Sequence, residues 1–292
     1  MTSTAQNAGT ALAYRAVRVT GVRRLTPHMA RISFTGCDQE GLSALPPAAP
    51  DQYVKVFFPL PHQERPQLPP PLVDDAMSWY RTYLAMPDEV RPPMRTYTIR
   101  AHRPAAREID IDFVLHADGG PAATWAASAR PGDEVAVLGP HGLYSVPEGA
   151  EWQLLIGDES ALPAIGAILE ALPEGAHARA FVEVAGPEEE QELPSAGSSG
   201  ITWIHRDGGA HGERLLAAVR EAELPGGTPY AWIAGEAGLV KLARRHLVRE
   251  REFDKRAITF TGYWRLGRTE EDTGRENIRK LESGEPLDAP TD

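Results

Sequence analysis

The stretch WQLLIGDESALPAIGAILEALP, residues 152–173, decides the fold of this 292-residue chain. A short apolar run closes on Gly157 and Asp158, and a helix-forming segment follows at once. Strand, tight turn and helix in that order form the repeating unit of a parallel sheet covered by helices. The unit recurs downstream. ARAFVEVAG leads into a loop, ITWIHRDGG into GERLLAAVREAEL, PYAWIAG into EAGLVKLARRHLVREREF, and ITFTGYW closes the series. The pattern predicts a Rossmann-like parallel α/β domain over residues 149–265, with ligands beyond the carboxyl ends of its strands.

Upstream the grammar differs. RAVRVTGVRRL, MARISFTG, YVKVFFP, RTYTIRAH, EIDIDFVLH and DEVAVLGP alternate with period two, are rich in β-branched and aromatic residues, and are separated by Gly, Pro and Asp. Six such runs predict a small antiparallel six-stranded Greek-key barrel over residues 12–148, with PEGA near Glu148–Gly149 as linker. Pro59 to Pro93 interrupts the rhythm with six prolines between positions 59 and 71, then VDDAMSWYRTYLAMP, whose Met77, Tyr80 and Leu84 predict a short helix packed on the barrel. Residues 266–292 are polar and acidic, too poor in apolar side chains for a core of their own. One helix is expected there, over Thr273–Leu281, in a tail that either docks or moves freely.

Composition narrows the function. With 30 Lys and Arg against 41 Asp and Glu, the net charge of −11 disfavours nucleic acid and anionic membranes, so an anionic ligand needs a local basic pocket. No stretch is apolar enough for stable membrane insertion and the N-terminus carries no targeting pattern, so a soluble, cytoplasmic protein is expected. A lone cysteine, Cys37, builds neither an intrachain disulfide nor a thiolate metal centre.

Three segments carry candidate chemistry. In MRTYTIR, residues 94–100, Arg95 and Tyr97 share one strand face and Thr98 lies on the other. They offer a fork of donors for a pyrophosphate, a ring for stacking and a hydroxyl for a ring nitrogen, although an ordinary edge strand reads the same way. In DGGPAATWAA a glycine turn opens a helix with Pro121 near its first position, where free N–H groups hold phosphate; a turn without ligand looks similar. IGDESALPAIG lacks a triple-glycine phosphate fingerprint. Asp158 and Glu159 would repel a pyrophosphate, so this turn reads as a lining of the interdomain cleft with Ser160 as helix cap, or as structure alone. Arg206, after the third α/β strand, is placed for an adenosine 2′-phosphate or for solvent.

Taken in register, DQYVKVFFP, PPMRTYTIR, DFVLHADGGPAATWA, ARPGDEVAVLGP, LLIGDESALPAI, YAWIAGEAG and TFTGYWRLG resemble the siderophore-interacting protein family, FAD-dependent NAD(P)H ferric-siderophore reductases of the ferredoxin-reductase-like superfamily. The resemblance spans nearly the whole chain. It implies that Arg95 binds FAD phosphate, Tyr97 stacks on the isoalloxazine and Thr98 bonds near N5. It implies that His116, Asp118, Gly119, Gly120, Pro121 and Ala122 form the phosphate and adenine side. Family members often carry Ser or Thr directly after GPA; here Ala123 stands there and the hydroxyl comes from Thr124.

The resemblance further implies that the turns of Asp158, Glu159 and Ser160 and of Gly235 and Glu236 face nicotinamide, and that Tyr263 or Trp264 lies beside the flavin. Lys55, with Arg130 and Arg265, would meet an anionic ferric siderophore, whose hard oxygen donors loosen when Fe(III) becomes Fe(II). No protein metal ligand is expected, and the cofactor carries the chemistry. NADPH or NADH is the implied donor, and the long C-terminal tail goes with members that use NADH or ferredoxin. Two other readings stay open: a general flavin electron-transfer reductase with another acceptor, and a non-enzymatic siderophore-binding module.

Overall fold

In the computed structural model, residues 14–38, 42, 45, 49–71, 76–116 and 120–283 are described. Six strands, β1 (Tyr14–Thr26), β2 (Met29–Gly36), β3 (Tyr53–Phe57), β4 (Met94–Arg103), β5 (Glu108–Val114) and β6 (Glu134–His141), close into a barrel of order β1-β2-β5-β4-β3-β6. Alternation turns Val17, Ile32, Phe34, Val54, Val56, Ile109, Ile111 and Val137 inward, each no more than 2% exposed. Helix α1 (Ala76–Leu84) lies outside the barrel. Its Trp79 and Tyr83 cover Phe57, Met94, Ala136 and Leu138 in a separate small core. Helix α2 (Pro121–Ser128) crosses one end of the barrel, with Trp125 packed against its core.

The second unit is a parallel sheet of order β11-β10-β7-β8-β9, formed by β7 (Trp152–Gly157), β8 (His177–Val184), β9 (Ser198–His205), β10 (Pro229–Glu236) and β11 (Ile258–Trp264). Helices α3 (Leu162–Ala171), α4 (Glu213–Glu221) and α5 (Ala237–Arg249) cover it. Leu154 and Ile156 of β7 face one core while Leu155 faces the other, which explains the unbroken apolar run. The chain runs from β7 outward to β9, then returns to β10 on the other side. The β7–β10 boundary is therefore the topological switch point, where ligands of such sheets bind.

The two units share a core. Met29 of the barrel is buried with α3 and β8, and Leu25 and Val114 pack against them. Three polar links add direction. Arg100 is the extra residue of a bulge, since Ile99 pairs with Ile111 and Ala101 with Asp110. The bulge sends its side chain, 7% exposed, onto α3, where the fork meets Glu170 at 2.7 and 2.5 Å. Glu189, beyond β8, accepts from the His28 backbone N–H at 3.1 Å and from the Thr26 hydroxyl, and pairs with His28 Nδ1 at 2.7 Å. Buried Asp51 accepts from Trp232 Nε1 of β10 at 3.0 Å and from the Leu143 N–H at 3.0 Å.

The tail docks. Helix α6 (Glu270–Ser283) begins three residues before the expected Thr273. Thr269 caps it: its hydroxyl accepts the Asp272 N–H at 3.1 Å and donates to Asp272 Oδ2 at 2.7 Å. The helix lies on α1, where Tyr80 Oη donates to the Glu270 carbonyl at 3.2 Å and Gly274 leaves no room for a Cβ against the Tyr80 ring.

Candidate functional site

The site is built around β4. Tyr97 is half-buried in an aromatic cluster, its ring tilted 4.4 Å from that of Phe113 and edge-on 6.4 Å from that of Phe58, with Trp125 5.2 Å beyond Phe58. Such a bed of tilted and edge-on contacts restrains the ring, and Tyr97 keeps part of its surface exposed. Arg95, two residues earlier, gives Nη1 to the Met94 carbonyl and to Glu271 Oε1, each at 2.6 Å. Its Nη2 lies 3.9 Å from where a Cβ on Gly120 would stand. Gly120 is the N-cap of α2 and Pro121 its first residue, so the outer arm of the guanidinium converges with the first N–H groups of that helix. Ala122 is buried under this turn and Thr124 is exposed on the first turn. Asp118 and Gly119 lie outside the described residues.

Thr98 is buried, and its hydroxyl shares a hydrogen bond with that of Tyr263 from the end of β11. Burial drives the Tyr263 phenol above its ordinary range, so it stays protonated at neutral pH. Tyr263 is the extra residue of a bulge, since Gly235 pairs with Gly262 and Glu236 with Trp264, and the two aromatics part there. Tyr263 reaches the barrel, whereas Trp264 turns to His211, whose ring it meets edge-on at 5.0 Å, and to Asp158.

The turns expected to face nicotinamide divide. Asp158 is 1% exposed and accepts from the Ser160 N–H (2.9 Å), Ser160 Oγ (2.5 Å), the Glu236 N–H (2.7 Å) and Trp264 Nε1 (2.9 Å). Burial, then the neighbouring Glu159 charge, push its carboxyl up, while these donors pull it down. Its acceptor capacity is consumed inside the protein, so it ties the ends of β7, β10 and β11 together instead of presenting a carboxylate. Gly235 permits this knot: its φ is +133°, and a Cβ there would stand 2.6 Å from Asp158 Oδ2. Ser160 does not cap α3, because its hydroxyl is spent on Asp158 and the N-cap is Ala161, without a side-chain bond. Glu236 caps α5 instead, accepting from the Gly238 and Leu239 N–H groups at 2.6 and 3.0 Å.

Arg206 stands at the ligand edge but is already engaged. It forks onto Glu159 at 2.8 and 3.0 Å and reaches Glu183 at 3.2 Å; Glu183 is fully buried and also accepts the Gly212 N–H. Two carboxylates on one guanidinium leave no net positive charge there for a 2′-phosphate. Arg206 and Glu159 line an interdomain cavity of about 250 Å³ with His28, His116, Leu162 and Glu189.

The basic residues expected around the substrate do not form one cluster. Lys55 lies opposite Thr96 in the β3–β4 pair, one strand position from Arg95, and its Nζ meets Glu270 Oε1 at 2.9 Å. Arg265 leads out of β11, its carbonyl accepting from the Arg268 N–H. Arg130 occupies the turn before β6, where its N–H caps on Asp133 Oδ2 and the loop bonds to Val19, at the strand end away from Lys55's partner Leu138. The described contacts do not join it to Lys55, because the α2–β6 turn opens at the other end of the barrel. Sequence reasoning named Tyr263 and Trp264 together without dividing their roles, and missed Glu270 and Glu271 altogether. The TEED capping box at 269–272 was the available signal that a helix starts there.

Comparison with known proteins follows the same division. Residues 18–144 match the siderophore-interacting FAD-binding domain and residues 150–267 the siderophore-interacting protein model. The chain is 32% identical over 250 residues to the ferric vibriobactin reductase ViuB of Vibrio cholerae, covering 85% of this chain and 88% of that one. It is 32% identical over 257 residues to the NADPH-dependent ferric-chelate reductase of Escherichia coli, covering 87% and 93%. The crystal structure of a siderophore utilization protein from T. fusca superposes with a TM-score of 0.75 at 37% identity, covering 88% of this chain and 95% of that one.

Proposed function

The chain belongs to the siderophore-interacting protein family, and from that premise we propose that it is a flavin-dependent ferric-siderophore reductase carrying electrons from NADPH through FAD to an Fe(III) chelate. The observation that carries the reading is the convergence, at one end of β4, of the Arg95 guanidinium, the Gly120 turn and the half-buried Tyr97 ring. The residues fit FAD. Arg95 Nη2 and the N-terminus of α2 supply donors toward one volume that suits a phosphate, and the absent side chain of Gly120 keeps that volume open. Tyr97 offers a flat face on a rigid bed, and Thr98 with Tyr263 supplies hydroxyls at the strand end that faces the sheet.

Bound here, FAD would supply hydride acceptance from a nicotinamide and single-electron donation to iron. This chain's residues hold, orient and shield. Arg95 and the Gly120 N-cap of α2 would position the phosphates, with His116 at the adjoining cavity and Thr124 on the helix face. The knot around Asp158 fixes the carboxyl ends of β7, β10 and β11, against which nicotinamide would lie. Trp264 is held by that knot, and Tyr263 closes the barrel side. Lys55, one strand position from Arg95, stands next to the flavin edge on the substrate side, whereas Arg265 belongs to the chain leading out of β11. The ferric chelate is substrate, weakened in its grip once iron is reduced.

The reaction belongs in the cytoplasm, where NADPH is regenerated; reduced ferredoxin is an alternative donor. The test is direct. Purified protein should show flavin bands, bleach anaerobically with NADPH, and recover colour on addition of ferric siderophore while a ferrous trap reports product. A colourless protein that takes up no FAD, or reduced protein reoxidised by oxygen but not by any ferric siderophore, would refute the reading.

A further inference from the structure

Both cations nearest the expected flavin edge carry a carboxylate from the C-terminal helix. Glu270 Oε1 sits 2.9 Å from Lys55 Nζ and accepts from Thr96 Oγ1 at 3.3 Å. Glu271 Oε1 sits 2.6 Å from Arg95 Nη1 and accepts from Tyr83 Oη at 3.2 Å. These are not loose surface pairs. Lys55 and Glu270 are 30% and 26% exposed, Arg95 and Glu271 21% and 14%. The helix that carries the glutamates is fastened to α1 through Tyr80, through Gly274 and through Arg81, which reaches Glu282 at 3.5 Å. The neighbouring bases of the same segment are occupied as well, Arg268 by Glu276 and Arg275 by Asp272.

We propose that Glu270 makes this pocket selective for ferric chelates without net negative charge, of the neutral or cationic hydroxamate class, by holding Lys55 in a partly buried ion pair beside the flavin edge. The proposal rests on the reductase reading above. Two cations and two carboxylates leave the pocket without net positive charge, and the phosphates of FAD add negative charge on the Arg95 side. An anionic chelate would have to displace Glu270 from Lys55 and then stand near that carboxylate, a like-charge contact that selects against it. A neutral chelate asks for neither. The family expectation of a basic substrate pocket is thus met in residue type by Lys55 and countered in charge by a residue 215 positions away in sequence.

The test uses the full-length holoprotein and redox-inert gallium(III) chelates, which keep the shape and charge of the ferric forms. Binding of gallium(III) desferrioxamine E, neutral, and of a triply anionic gallium(III) tris-catecholate is measured by calorimetry for the wild type and for Glu270→Gln. Glutamine keeps the size and the Thr96 bond, and Glu270 has no part in FAD binding, so flavin content should hold. The wild type should favour the neutral chelate. In Glu270→Gln the anionic chelate should bind roughly three- to tenfold more tightly, the range expected for one partly exposed charge pair, and the neutral one should change less than about twofold. Adding Lys55→Ala to that variant should reverse the gain. Wild-type binding with no selective gain in Glu270→Gln, or an equal change for both chelates, would overturn the proposal alone. A wild-type protein that takes up FAD yet binds neither chelate would overturn it together with the substrate reading beneath it.

Discussion

Replacing Asp158 tests whether the ligand edge of the sheet is held by one buried carboxylate. Four donors converge on it at 2.5 to 2.9 Å, from three strand ends, at 1% exposure. In Asp158→Ala, Ser160 Oγ can rotate to another partner, but the N–H groups of Ser160, Glu236 and Trp264 are left facing a void. At about 1–3 kcal/mol for each unsatisfied buried donor, and with relief from deleting a desolvated charge running the other way, the net loss should be about 3–4 kcal/mol. Asp158→Asn has nearly the same shape. With its oxygen turned to Glu236 and Trp264 it keeps those two bonds, its amide donates to Ser160 Oγ, and only the Ser160 N–H confronts a donor. That variant should lose about 1–2 kcal/mol. Urea unfolding followed by circular dichroism gives both values, and NADPH oxidation by the holoenzyme should fall in the same order, because the Trp264 and Glu236 anchors are lost in Ala and kept in Asn. Equal losses for the two variants, or losses below about 0.5 kcal/mol for both, would refute the assignment of Asp158 as the knot.

Three further outcomes are expected. Glu170→Ala strands the buried Arg100 guanidinium; because Glu170 is 37% exposed and partly screened, the loss should be about 1–3 kcal/mol by urea midpoint, and an unchanged midpoint would count against the Arg100–Glu170 pair as a bolt between barrel and sheet. Gly235→Ala combines a φ of +133° with a Cβ 2.6 Å from Asp158, so it should cost at least about 2 kcal/mol and depress NADPH turnover more than FAD content; wild-type turnover would contradict the steric argument. Burial alone would raise the Glu271 carboxyl, but the Arg95 charge and hydrogen bond outweigh it and hold the group below its ordinary value. A carboxyl depressed in the folded state stabilises above its unfolded pKa, and that stability is lost as pH falls through the folded value. Docking of α6 should therefore hold at neutral pH and loosen below about pH 4, read as faster hydrogen exchange over 270–283; exchange with no acid dependence beyond the intrinsic rate would dismiss it.

The architecture was legible because two periodicities meet in this chain. Val17, Ile32 and Val54 alternate with solvent-facing residues, as a barrel wall demands, whereas Leu154, Leu155 and Ile156 follow one another because both faces of β7 are covered. The elements that carry Arg95, Tyr97 and Gly120 were legible as well, because one strand and one helix start hold all three, and the structure sets Arg95 Nη2 toward Gly120. Asp158 was misread because sequence shows a carboxylate in a ligand turn and hides the four donors that bury it. Ser160 lost its capping role to the same carboxylate. Arg100 had no visible role because a bulge breaks the period on which strand reading depends. Glu270 and Glu271 were invisible for another reason: a polar helix docks through a few charges and tyrosines contributed by residues far away in sequence, and these leave no apolar stripe to read.

The bulge at Arg100 bears on how the enzyme can be recombined with its relatives. It resets the phase of β4, so residues 94–99 answer to the cofactor face and residue 100 to α3. A graft that exchanges only 94–99 leaves the bolt between the two halves untouched. A graft that runs through residue 100 must bring its own partner for Glu170 or leave that carboxylate unmatched, and a one-residue deletion there would restore regular alternation while freeing the halves to shift. The boundary for successful chimaeras therefore falls inside a strand, not in the linker between the barrel and the sheet.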